Sequence, residues 1–260
     1  MKFTVSLAQF QIDIGQPEKN LVRATPLIQA AASAGSDLIL FPELWTSGYD
    51  LAAAQLYAAQ NAKLLPVLAQ ISRDQQLAIG GSYITERHGR HYNTFVLLYP
   101  AGQAAVCYDK LHLFRLMQEE QWLGAGTACQ TAAFPWGEAG LSICYDLRFP
   151  ELYRQYAVAG AQAAWVVAEW PQRRIAHWQT LLRSRAIENQ MFVAGVNAVG
   201  PIGDAVYGGC SAIISPWGDT LVEGSPTEEA LLTAALDFDL VGQARRTIPV
   251  FQDRRTDLYR

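Results

Sequence analysis

The run Leu38-Ile39-Leu40-Phe41 has no polar face. Successive side chains of a strand point to opposite sides, so a strand of this composition is buried on both of them. Ala163-Ala164-Trp165-Val166-Val167-Ala168 and Met191–Asn197 read as strands of the same apolar kind. Between such runs lie segments whose apolar residues recur at helical spacing. The chain therefore folds as a sheet core covered by helices.

In order, Met1 to Gln9 is the first strand, and Pro17 opens a helix carrying Leu21, Ala24, Leu27 and Ile28, with Gly35 as its stop. Leu51 to Gln76 is expected to be helical in two pieces around Pro66. Leu77–Ile84 is a strand, and Tyr92–Tyr99 with Ala104–Tyr108 form a hairpin. Thr131–Trp136 leads through a Gly137-Glu138 turn into a strand ending at Cys144. A helix from Pro150 to about Ala159, the Ala163–Ala168 strand and a long helix from Ile175 to Asn189 follow. Strands at 191–197, 210–215, 220–223 and 230–237 and a short helix near 240–246 complete the chain, with Tyr207-Gly208-Gly209 read as a turn. Periodicity alone does not separate a four-layer sandwich from a doubly wound sheet. With no linker and no repeat, residues 1–260 are expected to form one domain.

Composition excludes several functions. A net charge of −4 gives no basic excess for nucleic acid or an anionic membrane. No apolar stretch approaches the about 18 residues of a membrane span, and the N-terminus is too short in apolar residues for a signal peptide. The four cysteines, 107, 129, 144 and 210, contain no CxxC pair, and the four histidines, 88, 91, 112 and 177, form no cluster. Reduced thiols in a cytoplasmic protein, with no metal and no cofactor, are the expectation.

Three residues stand where an apolar strand breaks into polar sequence. Cys144 follows Leu141-Ser142-Ile143, and Pro150-Glu151 then starts a helix. Glu43 follows Leu40-Phe41-Pro42, where a carboxylate is costly unless paired or working. Lys110 follows Val106-Cys107-Tyr108-Asp109. A thiol, a carboxylate and an ammonium together can cleave a carbon–nitrogen bond. The thiol attacks, the carboxylate moves the proton, and the ammonium lowers the thiol pKa and faces the oxyanion. Spacing in sequence does not bring the three together in space.

Phe41-Pro42-Glu43-Leu44, Tyr108-Asp109-Lys110-Leu111-His112-Leu113-Phe114 and Ile143-Cys144-Tyr145-Asp146-Leu147-Arg148-Phe149-Pro150-Glu151 resemble the three signature segments of the nitrilase superfamily, the carbon–nitrogen hydrolases. The resemblance implies an α/β fold, a four-layer α-β-β-α sandwich, usually as a homodimer. It implies Glu43 as general base, Lys110 as oxyanion stabiliser and Cys144 as nucleophile; the backbone N–H of Tyr145, at the turn after the strand, is expected to share the oxyanion. The family's second glutamate matches Glu119 better than Glu120, which remains open.

Trp45-Thr46-Ser47-Gly48-Tyr49, Ala168-Glu169-Trp170-Pro171, Arg183–Gln190 and the tail from Pro249 to Tyr259 are similar to the ω-amidase branch associated with bacterial methionine salvage. That similarity implies hydrolysis of 2-oxoglutaramate or 2-oxosuccinamate to the 2-oxo acid and ammonia. The substrate's far carboxylate then needs a cation, for which Arg173 and Arg174 are the candidates. Trp45, Tyr49, Phe114, Tyr145 and Trp170 are expected to wall the pocket, and Arg148 to support the turn rather than touch substrate. The same triad also serves N-carbamoyl amino-acid amidohydrolases, aliphatic amidases and nitrilases. A non-catalytic binding or regulatory module on the same fold is the alternative of another class.

Overall fold

The computed structural model describes residues 1–258, so Tyr259, the end of the tail segment, lies outside the described residues. One sheet contains β1 (Lys2–Gln9), β2 (Leu38–Leu40), β3 (Ala78–Arg87), β4 (Arg90–Leu98) and β5 (Val106–Asp109). The other contains β6 (Thr131–Phe134), β7 (Gly137–Ile143), β8 (Ala163–Ala168) and β9 (Phe192–Asn197). A separate hairpin of β10 (Val199–Ile202) and β11 (Ala205–Gly208) precedes β12 (Ala212–Ile214), β13 (Thr220–Glu223) and β14 (Ala230–Asp237). The strand orders are β14-β1-β2-β3-β4-β5 and β13-β12-β9-β8-β7-β6. Each sheet has three parallel strands at its heart, β1-β2-β3 in one and β7-β8-β9 in the other.

Helices α1 (Pro17–Ser33) and α2 (Ala54–Gln75) cover the first sheet. The second is covered by α4 (Pro150–Val158) and α5 (Ile175–Asn189), while α3 (Glu119–Trp122) is a single turn and α6 (Asp239–Thr247) closes the chain. The expected α-β-β-α sandwich is the fold observed. The short strand β2 displays why. Leu38 and Leu40 pack inward with Leu141 and Trp165 of the other sheet, and Ile39 packs outward with Ala24 and Ile28 of α1. Alternation on an all-apolar strand thus fills both the sheet–sheet and the sheet–helix interface.

Two expectations are corrected. The helix expected to break at Pro66 runs unbroken from Ala54 to Gln75. Pro66 and Ala62, whose carbonyl loses its partner, are both exposed, so that carbonyl is open to solvent while Leu68 anchors the buried side. Tyr207-Gly208, read as a turn, lies instead in β11, which pairs with β10 through a two-residue connection at Gly203 (φ +57°).

Candidate active site

β2, β5, β7 and β8 all deliver their carboxyl ends to one edge of the sandwich, and the polar residues that follow them meet there. Glu43, Lys110 and Glu119 are fully buried. Lys110 Nζ lies 2.8 Å from Glu43 Oε1 and 2.7 Å from Glu119 Oε1. Glu43 Oε1 also accepts from Asn93 Nδ2 at 2.8 Å and Tyr49 OH at 2.6 Å. Its second oxygen, Oε2, accepts the Glu169 backbone N–H at 3.0 Å. One carboxylate oxygen is therefore saturated with donors, and the carboxyl group lies close enough to Cys144 to act on the thiol.

Burial works to lower the Lys110 pKa, but the Glu119 and Glu43 carboxylates beside it win and hold it above the ordinary lysine value. Tyr49 OH stands 2.6 Å from Glu119 Oε1 as well as from Glu43. A phenol has one proton, so both contacts are hydrogen bonds only when a carboxyl supplies a second. Burial raises the Glu119 pKa, against the pull of the Lys110 ammonium. Glu119 Oε2 accepts the Phe114 N–H at 2.7 Å, so this residue also pins the loop after β5. Glu120 is exposed on the outside of that loop.

Cys144 opens a tight turn, Cys144–Arg148, directly after β7, with φ at +46°. A non-glycine residue in that region costs about 1–3 kcal/mol and persists only where its surroundings impose it. Here Asp146 imposes it. Its carboxylate accepts from Ile143 N (3.0 Å), Tyr108 OH (2.7 Å) and His112 N (3.0 Å), with His112 Nδ1 at 2.7 Å. The first N–H groups of such a turn have no partner within it, and Tyr145 is the second residue. The thiol is 6% exposed and points to the Glu169 carbonyl at 3.8 Å. Burial, then Glu43, pushes its pKa well above the ordinary thiol value, and Lys110 recovers only part of that rise. Lys110 lowers the thiol pKa, as expected, but desolvation is the larger effect.

A small pocket opens over Cys144. Tyr49, Phe114, Tyr145 and Trp170 line it, as do Glu169 and Tyr207. Trp45 does not. It is fully buried and stacks on Phe41, since Gly81 leaves room for its indole in the core. Of the two arginines proposed for a carboxylate, Arg174 lines the pocket and Arg173 is exposed outside it. Arg173 and Arg174 belong to one short helical turn, Gln172–Arg174, and their side chains leave it in different directions. Arg148, expected only to brace the turn, also lines the pocket, 4.6 Å above the Trp170 ring. Among the described residues neither Arg148 nor Arg174 has a carboxylate partner. The pocket has a thiol at its base and two uncompensated guanidinium groups on its wall.

Sequence reasoning did not find Glu169, Tyr207, Asn93 or Asp146 as site residues. Asp146 had a signal, its position two residues after the cysteine. Glu169 had a stronger one, a carboxylate directly after the all-apolar β8, which is the same pattern that drew attention to Glu43.

Residues 4–246 match the family described as carbon-nitrogen hydrolase. Across 261 aligned residues, spanning 100% of both chains, the sequence is 39% identical to a 2-oxoglutaramate amidase of Bacillus subtilis (strain 168). It is 34% identical to the omega-amidase NIT2 of Homo sapiens, over 99% of this chain and 96% of that one. A solved CN-hydrolase superfamily protein of Xanthomonas campestris, with an arsenic adduct in its active site, superposes with a TM-score of 0.92 at 30% identity, covering 98% of this chain and 97% of the other.

Proposed function

The chain belongs to the carbon–nitrogen hydrolase family and is an amide-hydrolysing enzyme, and from that premise we propose that Cys144, Glu43 and Lys110 are its catalytic residues and a 2-oxo-acid ω-amide is its substrate. In this reading Glu43 Oε2 takes the thiol proton as Sγ attacks the amide carbon. The oxyanion forms against Lys110 Nζ and the Tyr145 backbone N–H. Collapse returns the proton from Glu43 to nitrogen, and ammonia leaves. Water, deprotonated by Glu43, then hydrolyses the thioester and frees Cys144. Glu119 serves as a positioning residue by holding the Lys110 ammonium and, with Tyr49, the proton network behind it.

The observation that carries the substrate assignment is the pair of unpaired guanidinium groups, Arg148 and Arg174, in the same pocket as Cys144. They suit a substrate with an amide at one end and a carboxylate at the other. 2-Oxoglutaramate and 2-oxosuccinamate have that form, and the names of the amidases at 39% and 34% identity point the same way. Phe114, Tyr49 and Trp170 would flank the carbon chain between the two ends.

Ammonia release from 2-oxoglutaramate, an N-carbamoyl amino acid and a nitrile at equal enzyme tests the assignment. The keto amide is expected to be hydrolysed fastest, and Cys144→Ala to abolish turnover with an unchanged thermal midpoint. No ammonia from the keto amide would remove this substrate, and an active Cys144→Ala would remove the mechanism. A bound but unconverted ligand would instead favour the binding-module alternative.

We read residues 1–260 as one domain and the enzyme as a cytoplasmic homodimer. Four free thiols support a reducing compartment. Half-exposed Val158 and Ile187, on the outer helices α4 and α5, support a partner on that face. Light scattering that gives a single-chain mass would exclude the dimer.

A further inference from the structure

Glu169 lines the pocket and has no part in the chemistry above. It is 3% exposed, and neither carboxyl oxygen makes a hydrogen bond among the described residues. Buried polar atoms are nearly always paired, and two unpaired oxygens on one buried group are an expensive arrangement. The Tyr207 hydroxyl is a loose partner to the carboxyl, outside ordinary hydrogen-bond geometry, and it pulls the Glu169 pKa down.

The backbone of the same residue touches both reacting groups. Its N–H holds Glu43 Oε2 at 3.0 Å, and its carbonyl faces Cys144 Sγ at 3.8 Å. Glu43 Oε2 is the oxygen that must reach the departing nitrogen. The substrate carbonyl must turn the other way, toward Lys110. The nitrogen therefore lies on the side of the pocket that Glu169 walls.

We propose that the Glu169 carboxyl group is the subsite for the substrate's –NH2, its carbonyl oxygen accepting one N–H of a primary amide while Glu43 Oε2 protonates the nitrogen. The assignment depends on Cys144 being the nucleophile. Burial first, then the Glu43 charge, holds the Glu169 carboxyl in its protonated form, against the pull of Tyr207 and Lys110; Glu119 adds to the rise. A neutral acid offers an acceptor without placing a second negative charge beside Glu43. It also leaves Arg148 and Arg174 free for the substrate carboxylate. The pocket is then selective for leaving groups that carry N–H, which an ester lacks.

The test compares kcat/KM for a primary amide and for the methyl ester of the same acid, in the wild type, Glu169→Gln, Glu169→Leu and Glu169→Met. The two apolar variants are expected to lose about ten- to a hundredfold on the amide, the worth of one buried hydrogen bond, and to change about threefold or less on the ester. Glu169→Gln keeps a neutral acceptor and is expected within about fivefold of wild type on both. Thermal midpoints of all four proteins, taken in the same buffer, identify a variant that has not folded, and the remaining apolar variant then decides. Equal losses on amide and ester, no loss on either, or a Gln variant as poor as Leu would each overturn the proposal. A Cys144→Ala protein that still hydrolyses the ester would overturn the nucleophile assignment instead.

Discussion

Burial and the Glu43 carboxylate together keep the Cys144 thiol protonated, and the Lys110 ammonium does not reverse this. The nucleophile is therefore generated as it attacks, by a Glu43 carboxylate that Lys110, Asn93 and Tyr49 fix through one oxygen. The charge that Lys110 brings is thus available to the oxyanion rather than spent on a resting thiolate. On the opposite wall, the Arg174 side chain is the residue whose removal separates substrate recognition from chemistry. Arg174→Ala is expected to lower kcat/KM for 2-oxoglutaramate by about ten- to a hundredfold, as for loss of a charge-assisted hydrogen bond. Turnover of an uncharged amide of similar length should stay near wild type, and Arg173→Ala should change neither. Steady-state kinetics on the two substrates decide, and equal losses on both would mean that Arg174 does not receive the carboxylate. The sequence could nominate both arginines because each follows Trp170-Pro171. It could not choose between them, because that depends on the side from which each side chain leaves a single helical turn.

The turn Cys144–Arg148 is the element on which the site depends, and one carboxylate holds it. Asp146 is fully buried and binds β7 at Ile143, β5 at Tyr108 and the following loop at His112. It therefore ties the strand end that carries the cysteine to the one that carries the lysine. Asp146→Ala would leave these donors unpaired and remove the restraint on the positive φ of Cys144. A loss of about 2–4 kcal/mol in stability is expected, with a fall in kcat larger than any change in KM. Urea unfolding and steady-state kinetics measure both. A variant that unfolds like the wild type and keeps its kcat would show that the turn is held without Asp146. Strand ends were legible in the sequence because an apolar run followed by Glu43, Lys110 or Cys144 is a local pattern. The clamp was not, because its parts are 34 and 38 residues apart in the chain. The β10–β11 hairpin that brings Tyr207 to the pocket was missed for a related reason. Tyr207-Gly208-Gly209 reads locally as a turn, and only pairing with β10 makes its first two residues part of a strand.

At the scale of the whole molecule, the site lies between two sheets: the first supplies Glu43 and Lys110, the second Cys144 and Glu169. Both helix layers and the alternation of strands such as β2 were readable from sequence, and with them the layered class. The way one sheet is laid on the other was not, since it is fixed by side chains such as Phe3, Trp136 and Trp165 that meet only after folding. Folding therefore encloses several carboxyl groups in one small volume, and this has a pH signature. Burial raises the pKa of Glu169 well above its ordinary value, so the folded protein keeps a proton there that the unfolded chain releases. Below the unfolded value, about pH 4, both states are protonated at this residue and it makes no pH-dependent contribution. Above it, the unfolded state loses the proton first, and folding stability falls until pH passes the folded pKa. Glu169→Gln removes that linkage and leaves every other group in place. Its thermal midpoint is expected to match the wild type near pH 4 and to exceed it increasingly toward pH 8. A gap of a few degrees is readable, because about 1 kcal/mol moves the midpoint of a chain this size by about 2–4 °C. Calorimetry across that range measures it. A gap independent of pH would assign the effect to packing, and a gap in favour of the wild type at pH 8 would mean that Glu169 is ionised and stabilised in the fold.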